Sequence, residues 1–81
     1  MEDSVGALLQ QGLDDAGFSQ AGLGRQLGLS SKHINQLVRG KARLSVDVAV
    51  RIEMVIPSIS AEGLLIAQVR REITDYVRKF Q

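Results

Sequence analysis

Apolar residues in this chain recur at helical spacing and are punctuated by serine and glycine. Val5, Leu9, Leu13 and Ala16 stand three or four apart, with Leu8 beside them, which predicts an amphipathic helix over residues 5–16. Gly17 stops it, and Phe18 follows as a core anchor. Leu23, Leu27, Leu29, Ile34 and Leu37 then fall on the facing sides of two short helices, residues 20–27 and 31–38. Ser19 and Ser30 precede these helices, where a hydroxyl satisfies the free amides of a first turn. Gly28 and Gly40 follow them, where left-handed backbone ends a helix without steric cost. Residues 41–44 form a short basic connection. Ser45 caps a fourth helix with an apolar face of Val46, Val48, Ala49, Ile52, Val55 and Ile56, and Pro57 halts it, because proline lacks the amide proton and disfavours helix in the residue before it. A last helix begins at Ser58 or Ser60 and runs almost to Phe80. No strand alternation, internal repeat or low-complexity segment occurs. The pattern predicts an all-α fold of five helices in one domain, residues 1–81.

Two glycines, Gly22 and Gly24, interrupt the second helix, and each costs about 1 kcal/mol relative to alanine. Gly24 falls near the crossing with the third helix, where a missing side chain lets backbones approach. Gly22 has no such explanation. The second helix is therefore expected to depend on tertiary packing.

Two helices joined by so short a turn cross steeply and form a helix-turn-helix unit, residues 19–39. Its second helix turns Ser31, Lys32, His33, Asn35, Gln36 and Arg39 outward. Such side chains donate to and accept from base edges, and an amide pairs with adenine through two bonds. The plain alternatives are solvation of Asn35, of Ser31 at a helix start, and of His33 as a half-exposed residue. Gln20 is placed to anchor the DNA backbone or to brace the third helix. Arg39, Lys41 and Arg43 read as phosphate clamps, which position a protein without reading sequence. Arg25 is open to a structural ion pair with Asp14 or Asp15.

Charge sharpens this picture through its distribution. The formal net charge is only +1. Residues 16–46 hold five basic side chains (Arg25, Lys32, Arg39, Lys41 and Arg43) and no acid, whereas the other five basic residues share the remainder with all nine acids. A solvated basic face is the bland reading. Coincidence with the helix-turn-helix pattern favours a positive face that attracts phosphate. The sequence thus reads as that of a duplex-DNA binder.

Other chemistry finds little support. With 81 residues and no cysteine, the chain has neither disulfides nor thiolate metal sites, a composition compatible with a reducing cytoplasm. His33 is the single histidine, so no metal site, cofactor or nucleophile–base pair is expected, and an enzyme is the weakest reading. Apolar runs are too short to span a bilayer, and Glu2 and Asp3 make the N-terminus unlike a secretory signal. A cytoplasmic location without membrane contact is the expectation.

Toward the C-terminus, Ile66, Val69, Ile73, Tyr76 and Phe80 make an a/d-like stripe with Leu65 and Val77 beside it. Packing against helices one and four is the plain reading. Only about one and a half turns are needed to close a five-helix domain, so the rest is expected to pair two copies. A two-fold dimer presents recognition helices about 34 Å apart to successive major grooves.

The run SQAGLGRQLGLSSKHINQLVRGKARLSVDVAVRIE resembles the λ-repressor-like, XRE-type helix-turn-helix family. Gly40, Lys41, Arg43, Leu44, Ser45, Asp47, Ala49, Arg51 and Glu53 are similar to a pattern of the HigA antitoxin branch, as are Ser60, Ala61, Glu62 and the apolar segment ending in Gln68. Two positions depart: Gly24 stands where alanine is usual, and Gly63-Leu64 where an aromatic pair is common. The resemblance implies a five-helix homodimer that binds a palindromic operator and represses its own operon, with a HigB-like mRNA-cleaving toxin as a further partner. Phage and plasmid repressors share this fold. A helical protein-interaction module that has lost DNA binding is the reading from a different class.

Overall fold

Every helix in the computed structural model, which describes residues 4–81, begins at a serine. The helices are α1 (Val5–Ala16), α2 (Gln20–Leu27), α3 (Ser31–Val38), α4 (Val46–Val55) and α5 (Ala61–Arg78), with no strand among the described residues. The Oγ atoms of Ser4, Ser19, Ser30, Ser45 and Ser60 accept from the amides of Ala7, Gly22, His33, Val48 and Gly63 at 2.9–3.1 Å. Each hydroxyl satisfies one of the first-turn donors that the helix itself cannot. Ser60, not Ser58, starts the last helix, and Ser4 is a cap that the apolar spacing did not reveal. Glu2 and Asp3 lie outside the described residues.

Glycine ends the first three helices as the sequence predicts. Gly17, Gly28 and Gly40 all take φ of 70–72°. Behind each, a pair of bonds closes the turn: Gly17 and Phe18 donate to Asp14 and Leu13, Gly28 and Leu29 to Arg25 and Gly24, and Gly40 and Lys41 to Leu37 and Gln36. The residue after the glycine, Phe18 or Leu29, packs on the core in the first two cases. In the third it is Lys41, which stays exposed. The same backbone device therefore returns the chain to the core twice and presents a cation once.

The core is one cluster. Leu9, Leu13, Leu23, Ile34, Leu44 and Ile52 are its largest fully buried side chains, and Ile56, Ile59 and Leu64 extend it to the base of α5. Each such side chain contributes about 1.5–3 kcal/mol by leaving water. α2 packs on α3 and α4, α1 on α3 and α5, and α4 on α5. Two positions of the expected apolar faces are solvated instead: Ala16 is exposed, and Val46, in the first turn of α4, keeps 66% of its surface in water. The ladder of α4 that reaches the core runs through Ala49 and Ile52, one turn past Val46.

Two glycines permit contacts between backbones. A Cβ on Gly24 would stand 2.6 Å from the carbonyl oxygen of Leu29, so the turn before α3 lies against α2. A Cβ on Gly6 would stand 1.8 Å from the Val38 carbonyl oxygen, so the end of α3 lies against α1. Gly22 makes no such contact: the nearest atom to a methyl group there is the Oγ of its own cap, Ser19, at 3.1 Å, and the equivalent position after Ser4, Ser30 and Ser45 carries Ala7, His33 and Val48.

Beyond Gln68 nothing on α5 is buried, and the molecule extends 42 Å along its long axis against 22 Å across. α5 stops at Arg78, with Phe80 in the following turn.

Gly6→Ala gains helix propensity but forces α1 off α3. The net effect is expected to be a loss of about 1–3 kcal/mol, read as a melting temperature lower by several degrees. An unchanged or higher melting temperature would show that the α1–α3 contact is not limiting.

Candidate nucleic-acid interface

Ile34 and Leu37 bury one side of α3 in the core. Lys32, Gln36 and Arg39, at i, i+4 and i+7, line up on the side away from it. Ser31, Lys32 and Arg39 are exposed, while His33, Asn35 and Gln36 are half-buried. No acid occupies the first turn of α3. The outward row therefore offers a cation, an amide and a second cation, and nothing along it repels phosphate.

Asn35 has an internal commitment. Its Nδ2 donates to Gln20 Oε1 at 3.1 Å, Gln20 Nε2 donates to Gln10 Oε1 at 2.9 Å, and Gln10 Nε2 donates to Asp14 Oδ1 at 2.9 Å. This relay crosses from α3 through α2 to α1. Of the two roles open to Gln20, the structure displays bracing. The relay engages one of the two Nδ2 hydrogens of Asn35 and fixes the orientation of its amide, leaving Oδ1 and the second N–H outside the relay. Among the described residues the Gln36 side chain takes no part in any such bond, and both its arms face outward. Its main-chain oxygen accepts from Lys41 at 2.8 Å and from Ala42 at 3.2 Å, tying the loop after α3 to the recognition helix itself.

That loop carries three cations in different states. Arg39 and Lys41 are exposed. Arg43 is engaged: its Nε and Nη2 donate to the two carboxylate oxygens of Glu72 on α5 at 2.7 and 3.1 Å. The hydrogen bond from Arg43, reinforced by its charge, holds the Glu72 carboxyl below the usual carboxylate range, and the same pair raises Arg43. The pair is therefore complete at neutral pH and loosens only as pH falls through the lowered Glu72 value. A phosphate contact by Arg43 requires displacement of Glu72. Arg25, on α2, is exposed, and no ion pair among the described residues joins it to Asp14 or Asp15, which accept from Gln10 and Gln11 instead.

Residues 9–64, more than half of the chain, match the family model described as helix-turn-helix. The chain belongs to the helix-turn-helix family. It is thus an all-α, λ-repressor-like domain and a DNA-binding transcription regulator of the XRE type. No curated protein sequence matches it.

The match ends at Leu64, the last core residue of α5 before Gln68. Every residue of the expected pairing stripe lies beyond it. Ile66 and Val69 are 42% and 43% exposed, and Ile73, Tyr76 and Phe80 are more so. The stripe is not intramolecular core, and among the described residues nothing covers it. It continues into a shallow groove of about 600 Å³ between α4 and α5, floored by Val50, Ala61 and Leu65. The Tyr76 and Phe80 rings lie 5.5 Å apart at its far end. No helix of the described residues is long and apolar enough to cross a membrane.

The residues that resemble the HigA pattern have visible structural tasks. Arg51 donates to the Leu27 carbonyl at the end of α2, Glu53 accepts from the Ala61 amide at 2.8 Å at the start of α5, and Ala49 is fully buried. Sequence reasoning missed Gln68, which is 5% exposed and exchanges two bonds with the main chain of Leu44, at 2.7 and 2.8 Å. A signal existed: Gln68 follows Ala61 and Leu64 in core register, where a polar side chain must find partners.

Proposed function

We propose that this protein is a sequence-specific repressor that binds a palindromic duplex operator as a homodimer, with α3 in the major groove. The observation that carries the reading is the row Lys32–Gln36–Arg39, which stands on the solvent side of α3 within a stretch that contains no acid. Gln36 reads a base, Lys32 and Ser31 reach a base or phosphate from the first turn, and Asn35 holds α3 at its angle through Gln20. His33 borders the groove. Arg39 and Lys41 clamp phosphates, and Arg43 joins them when it leaves Glu72. Pairing through Ile66, Val69, Ile73, Tyr76 and Phe80 covers an apolar strip that water would otherwise meet, and it sets two copies of α3 at half-site spacing.

A selection of bound duplexes from a random pool should yield one palindromic motif. On that motif, Gln36→Ala is expected to lose about 1–3 kcal/mol of discrimination at one base position. Lys41→Ala is expected to weaken every duplex alike and to flatten the salt dependence by about one phosphate, a slope change of about 0.9. Equal losses on cognate and scrambled DNA for both variants would refute these roles.

Ile73→Ala combined with Tyr76→Ala should move the sedimentation profile toward monomer and weaken operator binding more than binding to a half-site. A profile identical to wild type would count against pairing through α5.

An antitoxin role is the second reading, and it rests on the resemblance of Gly40–Glu53 to HigA proteins. Co-expression with the product of an adjacent small open reading frame should relieve growth arrest caused by that product, a HigB-like mRNA-cleaving toxin. Arrest that persists despite soluble co-expression would refute it.

A further inference from the structure

α5 holds the loop after α3 at two points one helical turn apart, and the two ties differ in kind. Gln68 is sealed from water, and its amide both accepts from the Leu44 amide and donates to the Leu44 carbonyl, at 2.7 and 2.8 Å. This tie fixes main chain, beside a Leu44 side chain that is itself buried. The second tie, Arg43 to Glu72, fixes only side chains. Both remain substantially in water, with 61% of the Arg43 side chain and 46% of the Glu72 side chain exposed. An exposed ion pair of this sort is weak and easily exchanged.

The guanidinium fork of arginine matches carboxylate and phosphate oxygens with the same paired geometry. Glu72 presents both its oxygens to that fork, as two oxygens of a phosphodiester would. Arg43 also lies with Arg39 and Lys41 along one cleft of about 450 Å³, walled on the far side by Glu72 and Asp75. Asp75 is bonded by Arg71 at 3.2 Å, which leaves Glu72 as the carboxylate that holds the loop's arginine. We propose that Glu72 is an internal stand-in for a DNA phosphate and lowers the affinity of the protein for duplex by occupying the Arg43 fork. Binding then exchanges one anion for another at Arg43, so the loop meets DNA with a ready-made but masked donor pair. Glu72 acts through Arg43 and is a positioning residue rather than a contact. The inference rests on the DNA-binding reading above and adds to it the group that sets its strength.

The test compares wild type, Glu72→Gln, Arg43→Ala and the double variant on a labelled duplex over a range of salt concentrations. Glu72→Gln is expected to bind on the order of three- to tenfold tighter at low salt, with a salt slope steeper by about 0.9 for one further phosphate. The double variant is expected to match Arg43→Ala alone, because the effect passes through that side chain. The Gln68–Leu44 tie is untouched by these changes, and unaltered circular dichroism would verify the fold. Glu72→Gln binding no tighter than wild type would overturn the proposal. So would an equal gain in the Arg43→Ala background, which would assign the effect to net charge. If wild type binds duplex and Glu72→Gln leaves it unchanged, only this inference falls. If neither protein binds any duplex, the groove-reading function falls with it.

Discussion

The position of α3 depends on two places where one backbone touches another without a side chain between them. Gly24 admits the Leu29 carbonyl at the start of the helix, and Gly6 admits the Val38 carbonyl at its end. Side-chain packing of Ile34 and Leu37 sets which face of α3 is buried. Packing alone would leave the helix free to slide or tilt by the slack of flexible side chains. Contacts between main chains remove that slack, since a peptide carbonyl cannot rotate away as a leucine can. Gly24, which weakens α2 as an isolated helix, thus helps to make the unit rigid, as Gly6 does from α1. A recognition helix profits from such rigidity, because bidentate contacts to base edges tolerate little misplacement.

Polar ties then carry the arrangement outward from the core. The relay from Asn35 through Gln20 and Gln10 to Asp14 joins three helices on the side of α3 that faces solvent. Arg51 and Glu53, two residues apart on α4, reach in different directions, one to the last turn of α2 and the other to the first turn of α5. Gln68 closes the loop that follows α3. Among the described residues no buried side-chain nitrogen or oxygen lacks a partner. Each buried polar group therefore adds specificity of position without the penalty of an unmet hydrogen bond.

α5 consequently has two unlike faces. One presents Gln68 and Glu72 to the loop beside the recognition helix. Another presents Ile66, Val69, Ile73 and Tyr76 to water. Its first two turns belong to the domain, and the rest projects from it. The charge distribution follows the same division. The stretch without acids surrounds α3, and Glu72 and Asp75 of α5 line the cleft that holds Arg39, Lys41 and Arg43. A molecule of nearly neutral net charge can in this way hold a basic face and moderate that face from within.

Helix positions were legible because local rules decide them. Serine caps, glycine stops and the three–four spacing of leucine and isoleucine act within a turn or two, and residues 5–16, 20–27 and 31–38 were found where these rules put them. The outward set on α3 was readable for the same reason, since burial of Ile34 and Leu37 determines what faces away. Tertiary structure alone decided which outward residues are already spoken for. Asn35 meets Gln20 across 15 positions of sequence, and Arg43 meets Glu72 across 29. Only tertiary structure revealed that Gly6 is a contact point and that Val46 is solvated. Local order is written in the short-range competition of each residue with its neighbours for hydrogen bonds and rotamers. Partnership between distant residues depends on how whole helices stack, and no window of sequence contains that sum.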